Sequence, residues 1–330
     1  MPANLPPDYF NVEKKLREAR TAAEKIAAME ELLTVIPKHK GTERLRGDYK
    51  RKLAKLREEQ VQRKGKGKSG GEFWHIKREG AGQIPLVGLA NSGKSSLLKV
   101  LTKAAPEIAP YPFTTRFPLP GMMIYEDIQL QLIDLPPLSG DYMESWIPEI
   151  LRQGDLWLIV LDLEQDPLAQ WTDIGKIMAQ FRLFIPEDPA KDNLPPNWVT
   201  RPVVLAANKL DLPGALETLE IFQELQHPPF PLISLSAREE MNLDELKTTL
   251  FKGLDLVRVY TKIPGKEADR ATPFILKKGS TLLDLAGAIH QDFVRRLNYA
   301  RIWGKKTFPG QMVSREYILH DKDIIEIHLN

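Results

Sequence analysis

Gly88-Leu89-Ala90-Asn91-Ser92-Gly93-Lys94-Ser95 is a complete GxxxxGKS phosphate loop, and it follows directly on the apolar run Ile84-Pro85-Leu86-Val87. In such a loop glycines let backbone N–H groups turn inward on a polyphosphate, the lysine reaches the β- and γ-phosphates, and the last hydroxyl ligates magnesium. Lys94 to Ala105 reads as a helix, whose N-terminus adds partial positive charge to the anion site. A chance glycine turn is the competing reading, and the strand-like and helical flanks argue against it. The spacing predicts a nucleoside triphosphate site formed by Gly88, Asn91, Ser92, Gly93, Lys94, Ser95 and Ser96.

A second motif, Asn208-Lys209-Leu210-Asp211, closes another apolar strand. An Asp211 carboxylate can accept two hydrogen bonds from the N1 and N2 edge of guanine, and adenine offers no such donor pair. Asn208 is expected to brace the loops around the base and Lys209 to lay its stem along it. Ser236-Ala237-Arg238 can present a backbone N–H to the guanine O6. Alone the NKxD pattern could be a turn; behind a phosphate loop it selects GTP and GDP over adenine nucleotides.

Between the two motifs lie residues placed to sense the γ-phosphate. In Tyr111-Pro112-Phe113-Thr114-Thr115-Arg116-Phe117-Pro118, Thr115 is the chosen hydroxyl for magnesium and the γ-phosphate, with Thr114 its competitor, unless both merely begin the next strand. Asp134, after the strand Ile128 to Ile133, is expected to hold magnesium through water. It opens Asp134-Leu135-Pro136-Pro137, where a DxxG element would end in a glycine that donates its N–H to the γ-phosphate. Pro137 has no N–H and a fixed φ. Either Leu138 or a later N–H substitutes, or the γ-phosphate is sensed poorly. No glutamine follows to orient water, so hydrolysis by this chain alone is expected to be slow. Asn91 has two readings: it seats a monovalent cation such as potassium beside the phosphates, or it caps the loop. The candidate catalytic set is therefore Lys94, Thr115 and Asn91, and the candidate magnesium set is Ser95, Thr115 and Asp134.

These motifs must be positioned by a larger frame. The chain has 330 residues with 42% hydrophobic content, enough for two or three domains. No run approaches the ~18 to 20 apolar residues of a membrane helix, no signal pattern opens the chain, and there is no cysteine; a cytoplasmic protein is expected. The net charge of +2 hides an asymmetry: residues 1–80 hold 20 Lys/Arg against 12 Asp/Glu. That favours RNA or another polyanion, although charged helices are also simply soluble. Val12, Leu16, Ala19, Ala23, Ile26, Met29 and Leu33 recur at helical steps, and Leu45, Tyr49, Leu53 and Leu56 mark a second helix after Thr42, so a helical hairpin is expected. The Lys/Gly tract from Arg63 to Gly71 reads as a charged hinge. Phe73, Trp74 and His75 either touch the nucleotide or staple the linker to the core, and the staple is preferred.

From about Gln83 to Gly253 strands alternate with helices, implying an α/β fold with a largely parallel sheet, its ligands beyond the carboxyl ends of the strands. Pro186 to Pro202 reads as an irregular surface loop. Near the end, Thr281-Leu282-Leu283-Asp284 is a capping box opening one helix with Leu285, Ile289 and Phe293 on its stripe, between strands near Pro273 to Leu276 and Tyr299 to Trp303; Asp323 to Leu329 alternates as a last strand. One helix on a small mixed sheet is expected there, with Arg295, Arg296 and Lys305 as weak contact candidates.

Taken in order, GLANSGKSSLL, YPFTTRFP, DLPP, NKLD and LSAR, behind IPKHKGTERLRGDYKRKLAKLREE and GGEFWHIKREGAGQI and ahead of KKGSTLLDLAGAIHQDFVRRLNYARIWGKK, resemble the developmentally regulated GTP-binding proteins of the Obg-like GTPase superfamily. The resemblance spans nearly the whole chain. It implies a P-loop GTPase domain with an N-terminal helical hairpin and a C-terminal β-grasp (TGS) domain, divided as 1–71, 72–254 and 255–330. It also implies a translation-associated GTPase that contacts ribosome or RNA through the N-terminal basic region and the TGS domain, and potassium stimulation at Asn91. The stretch from Asp134 to Asn208 is short for the extra subdomain of eukaryotic members, so a prokaryotic-type relative fits better. Two alternatives stay open: a GTP-binding module with little or no hydrolysis, motivated by Pro137, and a basic RNA-binding protein.

Overall fold

The computed structural model describes residues 76–102, 117–140, 143–144, 146–186 and 196–329, together with Val12, Leu16, Ala28, Met29, Glu31, Leu32, Val35, Ile36 and Lys52. The chain divides into two compact units, Met1–His75 and Ile76–Asn330. In the first, Val12, Leu16, Ala28, Met29, Leu32 and Val35 are helical, and Val12, Leu32 and Ile36 form a buried cluster joined by Leu16 and Val35. The second helix of the expected hairpin lies outside the described residues except for Lys52, which is helical and exposed. The Lys/Gly tract and Phe73, Trp74 and His75 also lie outside them.

The second unit runs β1 (Gln83–Val87), α1 (Lys94–Thr102), β2 (Leu119–Tyr125), β3 (Ile128–Asp134), α2 (Ile147–Gln153), β4 (Trp157–Asp162), α3 (Pro167–Gln180), β5 (Val203–Asn208), α4 (Ala215–Gln226), β6 (Leu232–Ser234) and α5 (Leu243–Gly253). It continues with β7 (Leu256–Lys262), β8 (Ala268–Lys277), α6 (Leu282–Ile289), α7 (Gln291–Arg296), β9 (Leu297–Trp303), β10 (Gln311–Val313) and β11 (Asp323–Leu329). The first six strands form one sheet in the order β2-β3-β1-β4-β5-β6, parallel except for the β2–β3 hairpin. Strands β1, β4 and β5 are buried at every position, as expected of parallel strands covered on both faces. Their apolar side chains build a core with α1 and α5. Because these strands run the same way, the phosphate loop, Asp134, Asp162, Asn208 and Ser236 all emerge at one end of the sheet. Among the described residues of the expected irregular stretch, Val199 bridges to Leu183 and Trp198 packs edge-on against Phe184.

The remaining strands form a mixed sheet in the order β10-β9-β11-β7-β8, with β11 and β7 parallel. The capping box forms as expected: Thr281 accepts from the Asp284 N–H, and Asp284 accepts from the Thr281 N–H. The single helix expected after it is two helices. His290 takes an extended backbone, φ −171°, and its ring nitrogen accepts from the Asp292 N–H, capping the second. Ile289 and Phe293 nevertheless both pack on the core of this sheet.

The two sheets meet at the β2–β3 turn. Arg258 on β7 has a side chain only 2% exposed and reaches Asp321 through two nitrogens (3.0 and 2.8 Å), Glu126 (2.5 Å) and Asp127 (2.7 Å). Its guanidinium also stands over the Phe251 ring, 4.7 Å from the centroid, and Phe251 stacks on Tyr125. Tyr260 donates to Asp127 at 2.5 Å, and Lys322 pairs with Glu126 at 2.8 Å. These contacts lower the carboxyl pKa values. For Glu126 the bonds from Lys322 and then Arg258 do so; for Asp127 and Asp321, burial pushes upward but the bonds to Tyr260 and Arg258 outweigh it.

Removing one partner of a buried charge cluster leaves the others uncompensated. Arg258→Ala is therefore expected to destabilise this unit by about 3 kcal/mol, below the top of the buried-pair range because Glu126 is 45% exposed. The depressed carboxylates contribute stability that is complete above their ordinary values of 4.5 and 3.8 and is lost as pH falls through the lowered folded values. Thermal melts of the full chain should show a wild-type advantage over Arg258→Ala at about pH 6 that narrows towards about pH 3.

Candidate nucleotide site

The phosphate loop bends where two glycines have no substitute. A Cβ at Gly88 would stand 2.7 Å from both Ser92 Oγ and the Val160 carbonyl oxygen. Gly93 is left-handed, φ +89°, and a Cβ there would collide with Asn208 Nδ2. Lys94 Nζ is folded back into the loop, donating to the Gly88 carbonyl (3.0 Å) and the Leu89 carbonyl (2.8 Å). Burial lowers its pKa to about 8, against the opposing charge of Asp134. Asn91 is exposed and left-handed, φ 63°, a conformation asparagine tolerates better than most residues. Ser95 and Ser96 lie exposed in the first turn of α1.

Asp134 sits opposite Ser95, whose hydroxyl donates to Asp134 Oδ2 at 2.5 Å. Burial raises the Asp134 pKa, and the Ser95 bond and Lys94 charge only partly oppose this. Its Oδ1 is buried with no hydrogen-bond partner. A hydroxyl and a carboxylate with an unsatisfied oxygen form the hard oxygen set that suits magnesium. Thr114 and Thr115 lie outside the described residues.

In the turn after Asp134, the Leu138 N–H, one of the candidate replacements for the missing donor, has a partner of its own. Leu138 N–H donates to the Gly88 carbonyl at 3.1 Å, and the side chains of Leu135 and Leu138 are buried around the exposed Pro137. The N–H nearest to Pro137 in sequence is thus tied to the phosphate loop, and the carbonyl that receives it also receives Lys94.

The base side of the site is organised by Asn208. Its Nδ2 donates to the Ser92 carbonyl (2.9 Å), and its Oδ1 accepts from the Ala237 N–H (3.0 Å), so one buried amide joins three loops. That commits the Ala237 N–H to Asn208. Asp211 Oδ1 accepts from the Ser236 hydroxyl at 2.6 Å, which fixes the carboxylate in place. Lys209 Nζ reaches back to Asp162 (2.6 Å) and Glu164 (2.8 Å) at the end of β4. Burial alone would lower its pKa, but these two bonds outweigh it and raise it. Sequence reasoning missed Asp162, Glu164 and Gln170. The Gln170 side chain bonds both the N–H and the carbonyl of Asp162, at 2.9 and 2.8 Å. The acidic pair after an apolar strand was visible in the sequence, but its partner is 47 residues away.

A phosphate loop, a facing aspartate and an NKxD carboxylate at one end of a parallel sheet define a P-loop GTPase fold. Residues 83–209 match the family model described as a 50S ribosome-binding GTPase, and residues 257–329 match the TGS domain. The chain is 31% identical to an uncharacterized GTP-binding protein of Methanocaldococcus jannaschii, covering 92% of each. It is 28% identical to developmentally-regulated GTP-binding protein 1 of Xenopus laevis over 92% of this chain and 98% of that one. Its fold is similar to that of the Schizosaccharomyces pombe YchF GTPase, with a TM-score of 0.52 at 14% identity, covering 76% of this chain and 99% of the other. The chain belongs to the developmentally regulated GTP-binding protein family of Obg-like GTPases, and is a GTP-binding protein. Among the described residues, no helix is long and apolar enough to cross a membrane.

Asn208→Ala would leave a buried carbonyl at Ser92 and a buried N–H at Ala237 without partners, each costing about 1–3 kcal/mol. Titration with a fluorescent guanine nucleotide should show at least about tenfold weaker binding, equally for di- and triphosphate, because the bridge serves the loops and not the γ-phosphate.

Proposed function

We propose that this chain is a slow, magnesium-dependent GTPase that works as a switch associated with the ribosome or its RNA in the cytoplasm. The observation that carries the reading is the Asn208 bridge, which fixes a polyphosphate cradle and a guanine-selective carboxylate in one rigid unit. In this reading Gly88, Asn91, Ser92, Gly93, Lys94, Ser95 and Ser96 hold the phosphates. Asn208, Lys209, Asp211, Ser236, Ala237 and Arg238 hold the base. Ser95, Asp134 and Thr115 hold magnesium, which supplies positive charge to the β- and γ-phosphate oxygens.

The chain's own residues then divide the work. Lys94 leaves the loop carbonyls for the phosphates, where its charge gains more than two neutral acceptors offer. Lys209, held by Asp162 and Glu164, lies ready along the base. Nothing in Pro137-Leu138 orients the attacking water, which supports a slow rate. In this reading Asn91, exposed in the loop, helps seat a potassium ion that spreads charge as an arginine finger does. Ribosome or RNA association is supported by the family description of the matched GTPase segment, by the TGS domain and by the basic excess of residues 1–80.

A second reading, a binding module with little turnover, is favoured by one feature: the Leu138 N–H tied to Gly88 beside a proline. Single-turnover hydrolysis of GTP, with magnesium in potassium and then sodium, separates the two. The expected result is slow turnover, faster in potassium, with the potassium effect lost in Asn91→Ala. Pro137→Gly, which restores an N–H, should raise the rate by about tenfold or more. Tight binding without turnover in either salt would establish the binding module, and rapid turnover in sodium alone would contradict the proposed role of Asn91.

A further inference from the structure

An open sheet ends in edge strands whose outward N–H and C=O groups can pair with another chain, and proteins blunt such edges with short strands, charges, prolines or bulges. Three of the four edges here are blunted. β6 is three residues long and gives its Ser234 carbonyl to Asn242 Nδ2 at 2.8 Å, β10 is also three residues long, and β8 carries Pro273 and shifts register against β7. β2 is different. Its seven residues pair with β3 in an unshifted register, and the whole run from Phe117 to Tyr125 carries no charge.

The register decides which groups of β2 are free. Tyr125 and Ile128 close a two-residue turn, so they exchange backbone hydrogen bonds, and alternation gives Met123, Gly121 and Leu119 the same role. The N–H groups of Met122 and Ile124 and the carbonyls of Pro120, Met122 and Ile124 then point away from the sheet, and among the described residues no turn or loop bonds to them. The side chains divide the same way. Met123 enters the core with α1, Gly121 lies against Thr102 and Leu98, and Tyr125 stacks on Phe251, so these positions face the helices α1 and α5. Pro120, Met122 and Ile124 take the other face, where Pro120 is exposed, Ile124 is 64% exposed and Met122 rests against Gly80.

We propose that β2 pairs with β2 of a second copy of this chain, antiparallel about a two-fold axis at Met122, joining two six-stranded sheets into one. In that register the two Met122 residues exchange both hydrogen bonds, and each Ile124 N–H meets the Pro120 carbonyl of the other copy. Pro120, which has no N–H to offer, stands opposite Ile124 and covers its exposed side chain. The whole strand is used, since Leu119 falls opposite Tyr125 and Glu126 lies beyond the paired stretch. The uncharged run singles out a second copy: an identical strand brings no charge to an uncharged edge, matches its length, and sets apolar faces together when it turns antiparallel. A two-fold pairing consumes both free edges, so the assembly closes at two chains. Edge pairing of seven residues buries less than the ~1,600 Å² of a standard interface, so the dimer is weak, forming at about 100 µM and parting near about 1 µM.

The test is sedimentation velocity of the full-length protein between about 1 and about 200 µM. Wild type should move from monomer to dimer across that range, and Ile124→Lys, which sets an ammonium against the Pro120 ring, should weaken association at least about tenfold. Unchanged guanine-nucleotide binding checks that the variant is folded. The Met122 and Ile124 amides should gain hydrogen-exchange protection as concentration rises, while the amides bonded to β3 should not. Because the chain has no cysteine, Met122→Cys places one thiol from each copy at the axis. A short bismaleimide should link it at least about tenfold faster than Leu216→Cys, an exposed control on α4. A monomer at every concentration would overturn the proposal, as would a dimer indifferent to Ile124→Lys or linked no faster through Met122→Cys. A monomer that instead binds a labelled Thr-Val repeat peptide, and loses it in Ile124→Lys, would also overturn it and give the edge to a strand from another protein.

Discussion

The buried amide of Asn208 is the point on which the nucleotide site depends. It donates to the phosphate loop and accepts from the loop after β6, so neither can shift without breaking a buried hydrogen bond. The amide stands where it does because β5 lies between β4 and β6 in a sheet whose strands end on the same side. It also dictates its neighbour, since the approach of Nδ2 excludes any side chain at Gly93. The candidate phosphate-binding and base-binding loops are therefore one structural unit rather than two adjoining ones.

A second tie runs through the Gly88 carbonyl, which receives both Lys94 Nζ and the Leu138 N–H. A glycine after Asp134 would leave that segment free to swing; here Pro137 fixes φ, and the flanking leucines are packed in the core. The β2–β3 hairpin is held from the other end. Its turn carries Glu126 and Asp127 into the carboxylate cluster around Arg258, so the hairpin whose last residue is Asp134 is anchored on the second sheet. Both features hold the segment after Asp134 in place and support slow turnover at the proposed switch.

Much of this was legible in the residues. The phosphate loop, the NKxD aspartate, the β3 strand ending in Asp134 and the Thr281–Asp284 capping box are local patterns, and local patterns determine local structure. What escaped was long-range. Arg258 meets Glu126 and Asp127 across more than 130 residues of chain, and Lys209 meets Asp162 across 47; no spacing rule reaches so far. The break at His290 was hidden because Leu285, Ile289 and Phe293 keep helical spacing through it. The anomaly at Pro137 was visible, but its consequence was not, because a backbone N–H carries no sequence signal for the carbonyl it will find.

The site reads as a single guanine pocket built on Asn208, at which the proposed switch answers the γ-phosphate with little change in affinity. Titration calorimetry of the full-length chain, with magnesium, against GDP, a non-hydrolysable GTP analogue and its ATP counterpart tests it most directly. GDP and the GTP analogue should bind within about fivefold of one another and the ATP analogue at least about a hundredfold more weakly, because adenine leaves the Asp211 carboxylate unpaired. An ATP analogue that binds equally well, or a GTP analogue a hundredfold tighter than GDP, would contradict it.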